Sequence, residues 1–292
     1  MKRLFAPLVL LGMLAPLFVQ PALAADADRG VPKAVAFGGS CTGCALSRRK
    51  LTGAAFTGGN FDKASLVESD LRGATFTATS FKGADFSRAD MRSASLLGVN
   101  FSGAVFAGAR MDGLEGAGPN FSGADLKRAR LTSAELVGAN LAGAALSEAG
   151  FAGSELVASN LVQVEAWKAD FSGADLTAAR LTRGRFQDAS FRGATLDSAD
   201  LTGAVFNRAD FKGASLEGAR ISGADFTGAK GLDQDQIDDA CGDASTRLPP
   251  GLTVRCQHGF QLKVFPIGQI PRPPRPPHPP APPPAPVADN HR

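Results

Sequence analysis

The chain of 292 residues is poor in the side chains on which catalysis most often depends. It contains no tyrosine, one tryptophan and three histidines. The histidines His258, His278 and His291 all lie near the carboxyl terminus, and no glycine-rich phosphate loop is present. An active site needs titratable groups held in unequal environments. We therefore predict a protein that is not an enzyme and that uses no cofactor.

The chain also lacks a strong excess of charge of one sign. Its formal net charge is +3, whereas proteins that bind nucleic acid carry a pronounced basic surface. We therefore predict no nucleic-acid partner for this chain.

Only one long hydrophobic run is present, and it lies at the amino terminus. Lys2 and Arg3 precede an apolar run from Leu4 to Val19, and Ala22-Leu-Ala24 follows it. This order is typical of a secretory signal peptide over residues 1–24. Two prolines interrupt the run, which is short for a membrane span. We predict a periplasmic or secreted bacterial protein without stable membrane insertion.

What the sequence has instead is a repeat of five residues. Every fifth residue from Leu46 to Phe226 is Leu, Phe, Met or Ile, except Gly116 and Ala166, and a small residue usually lies two positions earlier. A period of five fits neither a strand nor a helix. It indicates a repeat architecture in which each unit turns one large and one small side chain inward.

The type of large residue recurs every twenty residues. One series is Phe151, Phe171, Phe191 and Phe211. Twenty residues are four units, so like side chains would stack on the walls of a four-sided solenoid, and such stacks pack without gaps. For the two irregular units we expect local repacking, with Leu114 or Val164 supplying volume; the alternative is a bend or a binding notch.

A family resemblance is visible in three units: Ala124-Asp-Leu126, Ala139-Asn-Leu141 and Ala199-Asp-Leu201. They resemble the A-(D/N)-L-x-x unit of the pentapeptide repeat family, and the resemblance covers roughly residues 41–231. It implies an all-β solenoid, a right-handed quadrilateral β-helix. At about 4.8 Å between neighbouring strands, the rod would have about nine coils and be about 45 Å long.

The segments outside the solenoid are predicted from composition and capping signals. Residues 25–40 form a lead-in that can pair with the first coil. Residues 232–265 resemble the helical end-piece of such solenoids, with Asp233 as N-cap and Gln236 three residues later. Residues 266–292 are rich in proline, which favours a disordered tail with extended polyproline II conformation.

Four cysteines allow three pairings. Cys41 and Cys44 open the repeats, whereas Cys241 and Cys256 follow them. A disulfide needs Cα atoms within about 7 Å, so the length of the rod leaves only Cys41–Cys44 and Cys241–Cys256 within one chain. The first pair does not resemble a thioredoxin site, because no βαβ context surrounds it.

One wall is predicted to be a partner surface. Leu97, Val137 and Val157 would form a lightly apolar outer strip beside an acidic margin, which consists of Glu115, Glu135, Glu155 and Asp175. A contiguous strip often marks an interface, although a plain β-surface is the alternative. Trp167 would also point outward, and a lone exposed tryptophan can mark an interface.

These observations favour a non-catalytic, exported scaffold or protein-interaction module. Its partner would be an unidentified protein or a second copy of the chain. The alternative is a DNA-mimic inhibitor or protector of a DNA topoisomerase, because some pentapeptide repeat proteins resemble duplex DNA and bind gyrase. Those mimics are strongly acidic and cytoplasmic, whereas this chain has mixed charge and a signal sequence.

Overall fold

The computed structural model of the chain describes residues 36–254. The predicted signal peptide, most of the lead-in, Cys256 and the proline-rich tail lie outside these residues.

The chain winds so that each residue lies beside the one twenty positions later. Five short strands form one parallel sheet in the order β1 to β5: β1 Ala36–Phe37, β2 Ala55–Thr57, β3 Thr75–Thr77, β4 Ser95–Leu97 and β5 Glu115–Ala117. Phe56 pairs with Phe76. Single parallel bridges at five-residue steps continue the same register, for example Asn140 with Asn160. Four such rows of bridges give four walls.

We name each wall by its first fully repeated large residue: the Leu46, Leu51, Phe56 and Phe61 walls, in chain order. The Leu46 and Phe56 walls are therefore on opposite sides of the solenoid. Strands β2 to β5 all lie on the Phe56 wall.

A turn follows each large residue. In a typical unit the Ala54 N–H donates to the Leu51 carbonyl at 3.0 Å, and Gly53 between them has φ +68°. The second residue after the large one thus has a positive φ. Glycine adopts this backbone conformation without steric cost, which explains why glycine is frequent at this position.

The core consists of the inward side chains, and the aromatic ones stack as the register predicts. Phe191 lies between Phe171 and Phe211, with ring centroids 5.2 and 5.0 Å away. All three rings are fully buried. Neighbouring walls meet edge to face, as Phe186 does with Phe191 at 5.6 Å. Both geometries are favoured by the quadrupole of the ring.

The two irregular units keep the coil path. Gly116 N–H donates to the Glu135 carbonyl at 2.7 Å, and Leu114 beside it is fully buried. A Cβ at Gly116 would lie 3.2 Å from the Leu96 Cβ and 3.3 Å from the Pro119 ring. Val164 is likewise buried beside Ala166. Local repacking, rather than a notch, accounts for both units.

The amino-terminal end of the solenoid departs slightly from the register. Phe37 of β1 pairs with Phe56, nineteen residues later, and their rings stack at 4.8 Å. The twenty-residue register begins with the bridge between Ser40 and Asn60.

At the other end the coil widens and admits a helix, α1 Gln234–Asp238. Asp233 caps it through a complete capping box with Gln236. Ile237 is fully buried, and the Gln236 amide donates to the carbonyls of Phe211 and Ala214 at 3.1 and 2.7 Å. The helix is thus tied directly to the last coils.

Candidate partner face

The predicted strip occupies the outer surface of the Phe56 wall, one residue after each inward side chain. Leu97 is 58% exposed and Val137 40% exposed, whereas Val157 is half-buried. The next residue in each unit is small, and Gly98, Gly118 and Gly138 adopt φ +60°, +62° and +66°. A flat surface can therefore approach the strip closely.

The acidic column lies on the same wall, one residue before each inward side chain. Glu115 bridges Glu135 and Glu135 bridges Glu155 in consecutive coils, so like charges are neighbours. Within residues 36–254 the three Glu side chains form no ion pair, and all three are exposed. Asp175 instead accepts the Thr177 N–H and hydroxyl at 2.9 and 2.6 Å. The strip thus has an edge whose negative charge is not neutralised.

The adjoining Phe61 wall carries a column of asparagines. Asn120 donates to Asn100 at 3.3 Å, and Asn140 and Asn160 continue the series at 3.2 Å. Each Oδ1 also accepts a backbone N–H two residues later, as at Ser102 (3.0 Å). These amides satisfy one another, as in stacked asparagine ladders, so their role is structural.

The opposite, Leu46 wall carries alternating charges that neutralise one another. Arg48 and Arg88 both contact Glu68, at 2.8 and 2.6 Å. Further pairs join Arg128 with Glu148 at 2.9 Å and Arg208 with Asp188 at 2.6 Å.

These arginines also set the acidity of the carboxyl groups. Hydrogen bonds from Arg48 and Arg88 lower the pKa of Glu68 below its ordinary value. A hydrogen bond from Arg128 lowers the pKa of Glu148 in the same way. The charged side chains of this wall pair with each other, so few of them are available to bind a partner.

Trp167 lies on the Leu46 wall and not beside the strip. It is 42% exposed, its Nε1–H donates to Asp188 at 3.3 Å, and the Lys168 amine lies 4.2 Å from the ring centre. Trp167 is therefore on the opposite side of the solenoid from Leu97, Val137 and Val157, and the prediction that all four residues belong to a partner surface is corrected to the last three. The twenty-residue register already indicates this separation, because position 167 lies half a coil from position 157.

One charged cluster was not predicted from the sequence. Four arginines and three aspartates meet along the Leu51 wall, at Asp70, Arg72, Asp90, Arg92, Arg110, Asp112 and Arg130. Arg72 contacts Asp70 and Arg92 contacts Asp90, each at 2.7 Å. Writing out this wall at twenty-residue steps would have shown the cluster, which is an ion-pair network.

The cysteines at the amino-terminal end form a disulfide. Cys41 and Cys44 are joined, with Cα atoms 5.5 Å apart. The predicted Cys241–Cys256 link lies partly outside the described residues, because Cys256 does, and it stays a prediction.

Between residues 36 and 254 no three His, Cys, Asp or Glu side chains converge as metal ligands would. No helix in that range has the length and apolar character needed to cross a membrane.

Two solved structures are similar to this chain along most of their own length. HetL, a pentapeptide repeat protein involved in heterocyst differentiation regulation in the cyanobacterium Nostoc, is 25% identical, with a TM-score of 0.63 over 73% of this chain and 92% of HetL. QnrB1, a plasmid-mediated fluoroquinolone resistance protein, is 21% identical, with a TM-score of 0.45 over 72% of this chain and 92% of its own. The search of curated proteins gave no match.

The family comparison bears directly on the repeats. The model of pentapeptide repeats matches eight segments between residues 40 and 228, and most of them overlap. Proteins of this family fold as right-handed β-helices and are generally non-catalytic structural or interaction proteins. The five-residue period, the four walls and this match agree, and the chain belongs to the pentapeptide repeat family.

Proposed function

We propose that the protein is an exported, non-catalytic scaffold that binds another protein through the strip on the Phe56 wall. One observation carries the proposal: an exposed apolar strip, including Leu97 and Val137, lies beside acidic side chains that have no ion-pair partner within residues 36–254. The opposite wall has alternating charges already paired with each other. A partner with apolar and basic side chains would gain from both features of the strip.

Export is supported by two features of the chain. The first 24 residues have the order of a signal peptide, and Cys41 and Cys44 are disulfide-bonded. Disulfides persist in oxidising compartments such as the bacterial periplasm. Fractionation of cells that produce the full chain tests this, and retention in the cytoplasm with residues 1–24 attached would contradict it.

We further propose a rod of about nine regular coils, counted at twenty residues each across residues 41–231, closed at one end by α1. The buried Ile237 and the contacts of Gln236 with Phe211 and Ala214 support the capping role. Solenoids need such caps because the last coil otherwise exposes its core.

The partner face is tested with a matched pair of substitutions. Val137→Lys places a charge on the strip, whereas Val67→Lys makes the same change at the same repeat position on the opposite wall. Val137 is exposed and Val67 is half-buried on the outer surface, so circular dichroism should show both variants folded. We expect affinity capture, or light scattering if the partner is a second copy, to lose at least tenfold in affinity for Val137→Lys only. Loss with Val67→Lys instead would move the interface to the charged wall.

Protection or inhibition of a DNA topoisomerase is the second candidate. The acidic column from Glu115 to Asp175 is the observation in its favour, because a DNA mimic presents regularly spaced negative charge. A gyrase supercoiling assay with the mature chain decides between the two. Concentration-dependent inhibition, or rescue from a quinolone, would favour this candidate over the scaffold.

A further inference from the structure

The Phe56 wall has a periodicity that a ligand can match. The acidic column repeats once per coil, and coils are about 4.8 Å apart, the spacing of hydrogen-bonded strands. Glu115 and Glu155 are two coils apart, which is about 9.6 Å by the same spacing. Beside them run the exposed side chains of Val137 and Leu97.

The carboxyl-terminal sequence has a matching spacing of positive charge. Arg272 and Arg275 are three residues apart, with prolines at every position between and beside them. Such a sequence favours polyproline II, which has three residues per turn and rises about 3.1 Å per residue. Both guanidinium groups would then lie on one line about 9.3 Å apart, and the proline rings would cover the other two sides.

The tail is long enough to reach the wall. Thr253 is bonded to Gln234 of α1, with its N–H and carbonyl at 3.1 and 2.8 Å, and α1 is bonded to the coil of Ala214. Arg272 follows Val254 by 18 residues, an extended reach of at most about 60 Å. Glu155 lies three coils from Ser215 along its column, which is about 14 Å.

We propose that the tail around residues 271–279 docks along the strip of its own chain, with Arg272 at Glu155 and Arg275 at Glu115. The chain leaves the carboxyl-terminal end of the rod, so Arg272 meets the nearer glutamate. Proline rings pack on Val137 and Leu97, and a preformed polyproline II segment loses little conformational entropy when it docks.

The tail is then an intramolecular occupant of the face that the proposed function assigns to a partner. Docking itself requires no partner. A partner that binds the strip must displace the tail, which lowers its apparent affinity.

Cross-linking of the full chain tests this directly. The substitutions Arg272→Lys and Arg275→Lys keep the charge and introduce amines, which a carbodiimide joins to neighbouring carboxylates as amides. We expect peptide mapping to show links from position 272 to Glu155 and from position 275 to Glu115. An equal mixture of ¹⁵N-labelled and unlabelled chains should give links within one isotope class only.

The controls separate docking from chance encounter. The double change Glu115→Gln and Glu155→Gln removes the reacting carboxylates and is the blank for the tail links, whereas Glu148→Gln on the opposite wall should leave their yield unchanged. Equal yields at Glu148 and Glu155 would overturn the proposal, and so would links that mix heavy and light chains. The assay contains no partner, so its failure would leave the binding tests on Val137 and Val67 unaffected.

Discussion

At the residue scale, each turn requires a backbone conformation that costs free energy for residues other than glycine. The second residue after each large side chain has a positive φ, and many of these residues are not glycine, for example Arg128 at +57° and Ala178 at +56°. A left-handed conformation costs an L-residue about 1–2 kcal/mol. On the Leu46 wall such residues include members of the ion pairs, for example Arg128 and Glu148. On the other walls glycine often avoids the cost, although alanine and serine also adopt this conformation at several positions.

Two glycines allow the cost of a positive φ to be measured separately from side-chain packing. Gly173 has φ +64° and Gly150 does not have a positive φ, and a Cβ at either would meet nothing within 4 Å. We expect Gly173→Ala to lower the free energy of unfolding by about 1 kcal/mol, because alanine is strained there. Gly150→Ala should raise it by about 0.4–1 kcal/mol, because it only restricts the unfolded chain. Urea unfolding measures both, and equal effects would contradict the turn conformation.

At the element scale, the Leu46 wall shows what regular spacing does to exposed charges. Glu68 accepts from arginines of the coils before and after it, so one carboxylate links three coils. Single exposed ion pairs contribute little. Here the pairs favour the twenty-residue register, because each of them joins a residue to the residue twenty positions away.

These pairs make stability depend on pH. The arginines lower the pKa of Glu68 in the folded state below the ordinary value of 4.5, so the unfolded chain binds more protons as the solution is acidified. Their stabilisation is therefore present above about pH 4.5 and is lost as the pH falls through the lower, folded-state pKa. We expect Glu68→Gln to weaken the fall in melting temperature between pH 6 and pH 3.

The control for this experiment is Glu135→Gln. Glu135 is exposed but has no ion-pair partner among the described residues, so Glu135→Gln removes a carboxyl group without removing an ion pair. An equal change in both variants would show that net charge, and not the pairing at Glu68, governs the acid response.

At the scale of the whole molecule, each coil contacts only its neighbours. Coil-to-coil hydrogen bonds such as Phe81 N–H to the Asn100 carbonyl, 2.8 Å, repeat along the rod. Stability in such a solenoid is a sum of nearest-neighbour terms. Damage at one end should therefore stay local.

Ile237, the buried residue of α1, tests this locality. Ile237→Ala should cost about 2–5 kcal/mol at the end of the rod. We expect hydrogen exchange to accelerate in roughly the last two coils, residues 201–230, and to stay unchanged over residues 56–121. Leu141→Ala in the middle should instead accelerate exchange on both sides of its coil. A uniform rise with Ile237→Ala would show that the rod unfolds as one cooperative unit.

The sequence by itself determined the repeat, the inward positions and the four walls. It could do so because a period of five, with like residues every twenty, admits one arrangement in which all large side chains are buried. The stacking of Phe171, Phe191 and Phe211 and the asparagine series from Asn100 to Asn160 follow from that register alone. The placement of Leu97 and Val137 on an outer strip follows in the same way.

Only the tertiary structure decided which partner a side chain contacts where several neighbours are within its reach. The Lys168 amine lies against Trp167, and Glu68 holds two arginines at once; long side chains can reach several partners, and sequence spacing does not rank them. The nineteen-residue step at β1 and the widening of the last coil also appear only in three dimensions, whereas Asp233 and Gln236 predicted the start of α1. At the ends the repeat stops. The position of the chain there depends on packing against the final coil, which the periodicity does not predict.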